Sequence, residues 1–194
     1  MDFQSAERYI TNLLCEHLPA TLTYHNFGHT QAVLKSATEI AKAENVTDPE
    51  QLTLLRTAAL YHDSGFLNVY DLHEAEGCRI VKKVLPGFGY SESQIDIICA
   101  MIMKTMLPQA PVTLLECILC DADLDHLGRE DFYKIGKGLH DEWMNIGRIH
   151  TEEEWNKVQI SFLEKHHYWT KTGQRVRGPV KERHLEELRQ ALQQ

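Results

Sequence analysis

The stretch Tyr61-His62-Asp63-Ser64-Gly65 places an imidazole and a carboxylate directly after an apolar run. The run contains Leu52, Leu54, Leu55, Ala58, Ala59 and Leu60. Asp48 and Pro49 precede it and suit the N-cap and the first position of a helix. The pattern predicts a buried helix that ends at His62 and Asp63. Because burying unpaired polar groups costs several kcal/mol, the two residues are either a helix-capping pair or ligands of a divalent metal.

Helical periodicity continues on both sides of this run. It predicts further helices at about residues 3–17, 26–41, 72–85, 91–107, 111–124, 132–144, 151–163 and 179–192. The helix at 111–124 has apolar residues on nearly every side, which makes it the candidate for the centre of a bundle. No strand, repeat or interdomain linker is evident in the sequence. The predicted fold class is therefore all-α, in a single domain.

Composition limits the classes of partner. A chain of 194 residues suits one domain, and its formal net charge of -8 argues against a sequence-independent grip on nucleic acid. Five cysteines, an odd number scattered through apolar runs, indicate a reducing compartment and not a disulfide framework. No stretch has the length and apolarity of a membrane span, and the amino terminus lacks a signal-peptide pattern. We expect a soluble cytoplasmic protein without a membrane partner; the sequence carries no prediction of oligomeric state.

Histidines and carboxylates lie at the ends of several predicted helices. His25 and His29 are about one turn apart at the start of the second helix. Asp121, Asp123 and Asp125 lie at the end of the sixth, where a solvent-facing stripe would account for one or two of them and a metal site for another. A calcium loop beginning at Asp121 is excluded, because both the turn glycine and the closing glutamate of such a loop are missing.

His29, the His62-Asp63 pair and Asp123 in an Ala-Asp-Leu-x-x-Leu-Gly setting resemble the HD superfamily of metal-dependent phosphohydrolases. The resemblance spans about residues 20–130. It implies one compact HD-like bundle over residues 1–194, with a metal-binding core at about 20–130 and a C-terminal helical extension at about 131–194. It also implies that His29, His62, Asp63 and Asp123 hold one divalent ion. Asp121 or Asp125 could replace Asp123 as the fourth ligand.

The segment Tyr24-His25-Asn26 followed by His29 is similar to the start of cyclic-nucleotide phosphodiesterase catalytic domains. That similarity implies that His25 protonates the departing oxygen. Resemblance to HD proteins with a His-Glu pair after the His-Asp pair suggests that His73 and Glu74 form an active-site wall or bind a second metal; an exposed helix face is the alternative. The group that accepts the proton of the attacking water is Glu74, Asp63 or the metal alone.

The resemblance implies a metal-dependent phosphohydrolase that cleaves a phosphoester of a nucleotide or similar small metabolite by attack of metal-bound hydroxide. Nitrogen and oxygen ligands accept manganese, iron, cobalt, nickel, zinc or magnesium. His73 and Lys104 are candidates for substrate binding. Two other functions stay open: a non-catalytic module that binds a metal and a nucleotide for regulation, and, ranked last, oxidation at a two-iron centre.

Two further clusters have a structural and a functional interpretation. Arg175, Arg177, Lys181 and Arg183 are either solvated around a helix start or a phosphate clamp. The run His166-His167-Tyr168-Trp169 either packs as aromatic residues do or lines a base-binding pocket. We expect structural packing for the Cys117-x-x-Cys120 pair, because both cysteines lie in an apolar helix without a second pair.

Overall fold

A computed structural model describes residues 1–192, and this part of the chain is built from helices without any strand. The helices are α1 (Phe3–His17), α2 (Phe27–Ala43), α3 (Pro49–Tyr61), α4 (His73–Val84), α5 (Glu92–Thr105), α6 (Leu114–Asp123), α7 (Phe132–Asn145), α8 (Glu152–Lys165), α9 (Lys171–Val176) and α10 (Gly178–Ala191). Short 3-10 helices occupy Ser64–Leu67, Leu85–Phe88 and Asp125–Gly128. The all-α prediction is confirmed.

Local capping explains where several helices begin. The Asn26 side chain accepts hydrogen bonds from the backbone of Gly28 and His29 at the start of α2, and Asp48 caps α3 in the same way. Ser91 forms a capping box at the start of α5. These three helices begin where the sequence predicts them.

One predicted helix start is wrong. Thr113 accepts a hydrogen bond from the backbone of Glu116, whose side chain in turn accepts one from the Thr113 backbone. This capping box starts α6 at Leu114, so Pro111 and Val112 precede the helix instead of opening it. α6 is therefore shorter than predicted and ends at Asp123.

The main core surrounds α3. Every residue of α3 from Leu54 to Tyr61 except Arg56 is buried, and this helix packs against α1, α2, α5 and α6. α6 packs against α2, α3 and α5 with Ile118, Leu119 and Cys120 fully buried. Helices that are apolar on most sides belong in the interior of a bundle. The packing of α2, α3 and α6 against one another thus places these helices in the interior of the bundle.

A second apolar cluster lies in the C-terminal part of the chain. Its members are Leu124, Leu127, Phe132, Leu163, Leu185 and Leu188. α8 and α10 pack together, and α10 also packs on the 3-10 helix Asp125–Gly128 that follows α6. The apolar surface of this extension is therefore continuous with the end of α6. The boundary between core and extension at about residue 130 stays a prediction.

The sequence pattern missed α9, a helix of six residues. Thr170 caps it by accepting a hydrogen bond from the backbone of Gly173. A Cβ at Gly173 would lie 2.5 Å from Oδ2 of Asp121, so this contact requires glycine. A short helix with a glycine in its centre has no amphipathic period by which to recognise it. Within residues 1–192, no helix is both long and apolar enough to cross a membrane.

Candidate metal centre and active-site cavity

Four side chains lie close together where α2 begins and where α3 and α6 end. His29 lies in the first turn of α2, which the Asn26 cap fixes in place. His62 ends α3, Asp63 follows it, and Asp123 is the last residue of α6. His62 is fully buried, and its Nδ1 donates to the Ala59 carbonyl at 2.9 Å. This bond places the ring proton on Nδ1 and leaves the lone pair of Nε2 for a ligand or proton.

Carboxylate oxygens of Asp63 and Asp123 lie close to the Nε2 atoms of His29 and His62. Nε2 of His29 lies 3.4 Å from Nε2 of His62, and Oδ1 of Asp123 lies 3.1 Å from the first and 3.5 Å from the second. Oδ2 of Asp63 lies 3.2 Å from Nε2 of His62 and 3.4 Å from Nε2 of His29. Ligand atoms of His29, His62 and Asp123 all lie within 4.8 Å of one another, which brings them within reach of a single ion.

Two observations show that a divalent cation fits these residues. Oδ2 of Asp63 is buried, and no donor in residues 1–192 gives it a hydrogen bond. Two imidazole nitrogens and two carboxylates also form a donor set that first-row divalent metals accept. A buried polar atom without a partner is costly, and a cation would satisfy Asp63 together with both imidazoles.

The pKa values of Asp63 and His62 also favour a positive charge within the cluster. Burial opposes ionisation of Asp63, but the positive charge of His62 beside it lowers the pKa of this carboxyl well below its usual value. Burial also opposes protonation of His62, yet Asp63 and Asp123 outweigh it and raise the pKa of His62 well above its usual value. Both carboxylates thus require a positive charge between the side chains, which a proton or a metal ion can supply.

Asp121 and Asp125 lie away from the cluster and have other partners. Asp121 is fully buried and accepts hydrogen bonds from the backbone of Trp169 (2.7 Å) and from the Thr170 backbone and hydroxyl (2.9 and 2.6 Å). Asp125, also buried, accepts from Nε of Arg177 at 2.7 Å. The expectation of a solvent-facing acidic stripe is therefore wrong. Of the three aspartates, the structure brings only Asp123 to the two histidines.

His25 lies beside the cluster and is held by a residue that the sequence analysis missed. Its Nδ1 is 2.5 Å from Oε1 of Glu142 on α7. Oε2 of Glu142 accepts from the backbone of Tyr24 (2.9 Å) and of His25 (3.1 Å), and Oε1 accepts from the Tyr70 hydroxyl (2.7 Å). Burial would raise the pKa of Glu142, but the His25 contact outweighs it and lowers that pKa. A buried carboxylate thus fixes both the ring and the backbone of His25.

The sequence contains a pattern that marks Glu142 as a buried residue. Phe132, Gly136, Leu139 and Glu142 recur at helical spacing on one side of α7, and Glu142 is fully buried. A carboxylate on an apolar stripe must have a buried partner. The sequence does not show that the partner is His25, which precedes Glu142 by 117 positions.

His73 and Glu74 both line a cavity that lies next to the cluster. Nε2 of His73 lies 3.4 Å from Oδ1 of Asp63 and 3.5 Å from Oε1 of Glu74. Phe66 stacks between His73 and His25, with ring centroids 3.9 and 4.3 Å apart. Glu74 is only 6% exposed, so the alternative of an exposed helix face is wrong.

Lys104 and the basic residues of the C-terminal segment lie outside this cavity. Lys104 is not among its lining residues, although the neighbouring Thr105 is. Arg177 is paired with Asp125, and Lys181 is buried with its amine donating to the carbonyls of Leu163 and His166. Neither the Lys104 prediction nor the phosphate-clamp interpretation finds support in these positions.

The cavity has a volume of about 170 Å³ and a polar and an apolar end. The polar end is lined by His25, Asp63, His73, Glu74 and Asp123. The apolar lining residues are Leu107, Leu124, Leu127, Phe132, Leu139, Trp143, Trp155, Val158, Phe162 and Leu163. A ligand that reaches the four-residue cluster therefore also contacts the C-terminal extension.

Comparisons with known proteins identify the family and the fold of this chain. The family model described as "HD domain" matches residues 26–128, just over half of the chain. A search of curated proteins found no match. Two solved structures are similar in fold, but both are under 25% identical in sequence and thus show the fold alone.

The first of these is a predicted HD superfamily hydrolase from an uncultured Thermotogales bacterium, 24% identical with a TM-score of 0.61 over 95% of this chain and 90% of that chain. The second is Bacillus subtilis YpgQ, solved in complex with ADP, 20% identical with a TM-score of 0.65 over 98% of this chain and 95% of that chain. The family match spans all four residues of the cluster, from His29 to Asp123. The resemblance noted from the sequence is confirmed, and the chain belongs to the HD domain family.

Proposed function

We propose that this protein is a metal-dependent phosphohydrolase that cleaves a phosphoester of a nucleotide or a similar small metabolite. The observation that carries the proposal is the convergence of His29, His62, Asp63 and Asp123 at one end of a cavity that a small molecule can enter. The ADP complex of YpgQ supports a nucleotide as one candidate ligand. The five cysteines are free thiols, which fits a reducing cytoplasm as the place of action.

The four residues of the cluster would hold the metal. Their nitrogen and oxygen donors suit manganese, iron, cobalt, nickel, zinc or magnesium. When bound, such an ion lowers the pKa of water from about 15.7 toward about 7 and stabilises negative charge on a phosphoryl oxygen.

The other polar residues of the cavity have distinct tasks in this proposal. His25 donates a proton to the departing alcohol oxygen from Nε2, because Nδ1 is held by Glu142. Asp63 or Glu74 accepts the proton of the attacking water, since both carboxyls line the same end of the cavity. His73 lies between these two carboxylates and is placed to contact a phosphoryl oxygen.

Elemental analysis of untreated protein and a phosphatase screen with added metals test the proposal. We expect about one equivalent of a divalent metal and hydrolysis of one or more phosphoesters, lost after exhaustive chelation and restored by the metal. Hydrolysis at the same rate after chelation as before would contradict the mechanism.

A regulatory module that binds a nucleotide without turnover is the second candidate, because the YpgQ structure contains ADP and a binding protein would need the same cavity. The variant Asp63→Asn separates the two. An enzyme keeps its fold and loses turnover when this carboxylate is neutralised, whereas a binding module has no turnover to lose. Circular dichroism of the variant provides the control for folding.

A further inference from the structure

The cavity continues from the metal cluster into an apolar arm, formed by Leu127, Leu139, Trp143, Trp155, Val158 and Phe162. All but Leu127 belong to α7 and α8, which lie beyond the segment 26–128 matched by the family model. The indole nitrogen of Trp143 already donates to the Tyr70 hydroxyl at 3.1 Å. The arm therefore offers a ligand mainly carbon surface, with the side-chain amide of Gln159 among the polar groups that line the cavity.

The charges around the cavity limit the number of phosphoryl groups that it can take. Asp63, Glu74 and Asp123 line the polar end, and no lysine or arginine is among the lining residues in the part of the chain that the structure describes. The nearby Arg148 lies over the Tyr70 ring and is paired with Asp71. A second or third phosphoryl group would have to enter without a lysine or arginine side chain to compensate its charge.

The size of the cavity limits the rest of the ligand. Its volume is about 170 Å³. An apolar cavity of about 150 Å³ holds one benzene molecule and stays dry without it. Because this volume includes the polar end, the apolar arm suits a group of no more than about one ring, placed on the far side of the bond next to the metal cluster.

We propose that the preferred substrate carries a single phosphoryl group on an uncharged, apolar alcohol of about one ring, with that ring in the apolar arm. This inference rests on the proposed phosphohydrolase function. It selects a small monophosphate over a nucleotide as the substrate, and it sets nucleoside diphosphates and triphosphates, such as the ADP in the YpgQ structure, apart as poor ligands of this cavity.

Benzyl phosphate, methyl phosphate and ADP are suitable probes for the metal-loaded protein. Benzyl alcohol and methanol are similar in acidity, so a difference in kcat/KM between their esters reflects the ring and not the chemistry of the leaving group. We expect kcat/KM for benzyl phosphate to exceed that for methyl phosphate by at least about tenfold, or about 1.4 kcal/mol, and to exceed that for ADP. Equal values for the two esters, or a preference for ADP, would overturn the inference.

A variant whose new side chain fills the apolar arm provides the second test. Val158→Phe places a ring where the substrate ring would lie, whereas Val112→Phe changes a valine that is 81% exposed. We expect the ratio of kcat/KM for benzyl over methyl phosphate to fall by about tenfold in Val158→Phe and to be retained in Val112→Phe. An unchanged ratio in Val158→Phe that is folded by circular dichroism would contradict the assignment of the arm.

A binding measurement separates failure of this inference from failure of the proposed function. Benzylphosphonate and methylphosphonate are not hydrolysed at the P–C bond by attack of water in this way, and calorimetry on the metal-loaded wild-type protein gives their Kd values. We expect benzylphosphonate to bind at least about tenfold more tightly. If no phosphoester is hydrolysed, the proposed function fails, yet this ratio still decides the inference; equal Kd values would refute it even in an active enzyme.

Discussion

Glu142 on α7 holds His25 by a contact of 2.5 Å between Oε1 and Nδ1, and so joins the C-terminal extension to the segment before α2. The same carboxylate accepts hydrogen bonds from the backbone of Tyr24 and His25. The proposed proton donor is thus positioned by a helix outside the segment that defines the family. Removing the charge of Glu142 should affect proton donation before it affects metal binding.

We expect Glu142→Gln to lower kcat for an alkyl phosphate by about 10- to 100-fold, part of the ~10²–10⁴ that a positioned acid contributes. The loss should be much smaller for p-nitrophenyl phosphate, whose leaving group departs without a proton. Steady-state kinetics on both substrates and elemental analysis measure the effect. Asp141→Asn, a change at the adjacent and more exposed residue, is the control. An equal loss on both substrates would indicate a merely structural role for Glu142.

Asp123 and Asp121 should differ in what their replacement removes. Asp123→Asn takes away a carboxylate that lies 3.1 Å from Nε2 of His29, so we expect the purified protein to lose its bound metal and its activity. Asp121→Asn should retain the metal and instead lose about 1–3 kcal/mol of stability, because its oxygens accept hydrogen bonds from buried donors. Elemental analysis and urea unfolding distinguish the two. Metal loss in Asp121→Asn with full retention in Asp123→Asn would reverse the assignment.

Metal binding should stabilise the fold, since the proposed ligands come from α2, α6 and the end of α3. At a metal concentration about 100 times Kd, the native state gains about 2.7 kcal/mol. For a chain of this size, each kcal/mol raises Tm by about 2–4 °C, so we expect chelation to lower Tm by about 5–10 °C. Differential scanning calorimetry with and without metal measures the shift. His29→Ala should show none, and a wild-type Tm that is insensitive to metal would exclude a site shared by three helices.

The parts of this site that the sequence predicts are those set by local structure. The caps Asn26 and Asp48 lie next to the helices that they start, and His29 and His62 take their places from those helices. Such relationships act over one or two turns and leave a readable pattern. The pairing of His25 with Glu142 depends on how α7 packs, which no local pattern encodes.

The three aspartates of the α6 region show a second limit of prediction from the sequence. Residues two positions apart on a helix differ by about 200° in direction, so Asp121 and Asp123 cannot face the same site. Which of them faces the histidines depends on the rotation of α6 about its own axis. Contacts with α2, α3 and α5 fix that rotation, and they are tertiary. The sequence therefore leaves the choice open, while the structure resolves it.

His166 should make the protein sensitive to mild acid. Both ring nitrogens are buried without a hydrogen-bond partner in residues 1–192, and burial, with a smaller effect of Lys181, lowers the pKa of His166 to about 3. The unfolded chain, with an ordinary pKa of about 6.5, binds the proton more readily, so stability falls as the pH drops from about 6.5 toward about 3. This residue alone should cost about 2 kcal/mol between pH 7 and pH 5.

Urea unfolding of wild type and His166→Phe at both pH values checks this expectation. His166→Phe should lose about 2 kcal/mol less than wild type over the same interval, because all other titrating groups are shared by the two proteins. If the two proteins lose equal stability, His166 is accessible to protons in the native state.

Gly65 should be required for the position of His73 and Glu74. A Cβ at Gly65 would lie 1.9 Å from the carbonyl oxygen of His73, a backbone atom that can yield only if the start of α4 shifts. Overpacking of this kind costs about 1–3 kcal/mol, and the shift would also move two side chains of the cavity. We therefore expect Gly65→Ala to lower both the free energy of unfolding and kcat. Gly87→Ala is the matched control, because its Cβ would meet no atom within 4 Å, and its stability should change by less than about 0.5 kcal/mol. Urea unfolding and steady-state kinetics of the two variants test this expectation. If Gly65→Ala is as stable as Gly87→Ala, the start of α4 can move freely. The backbone would then not fix the separation of Asp63 from His73.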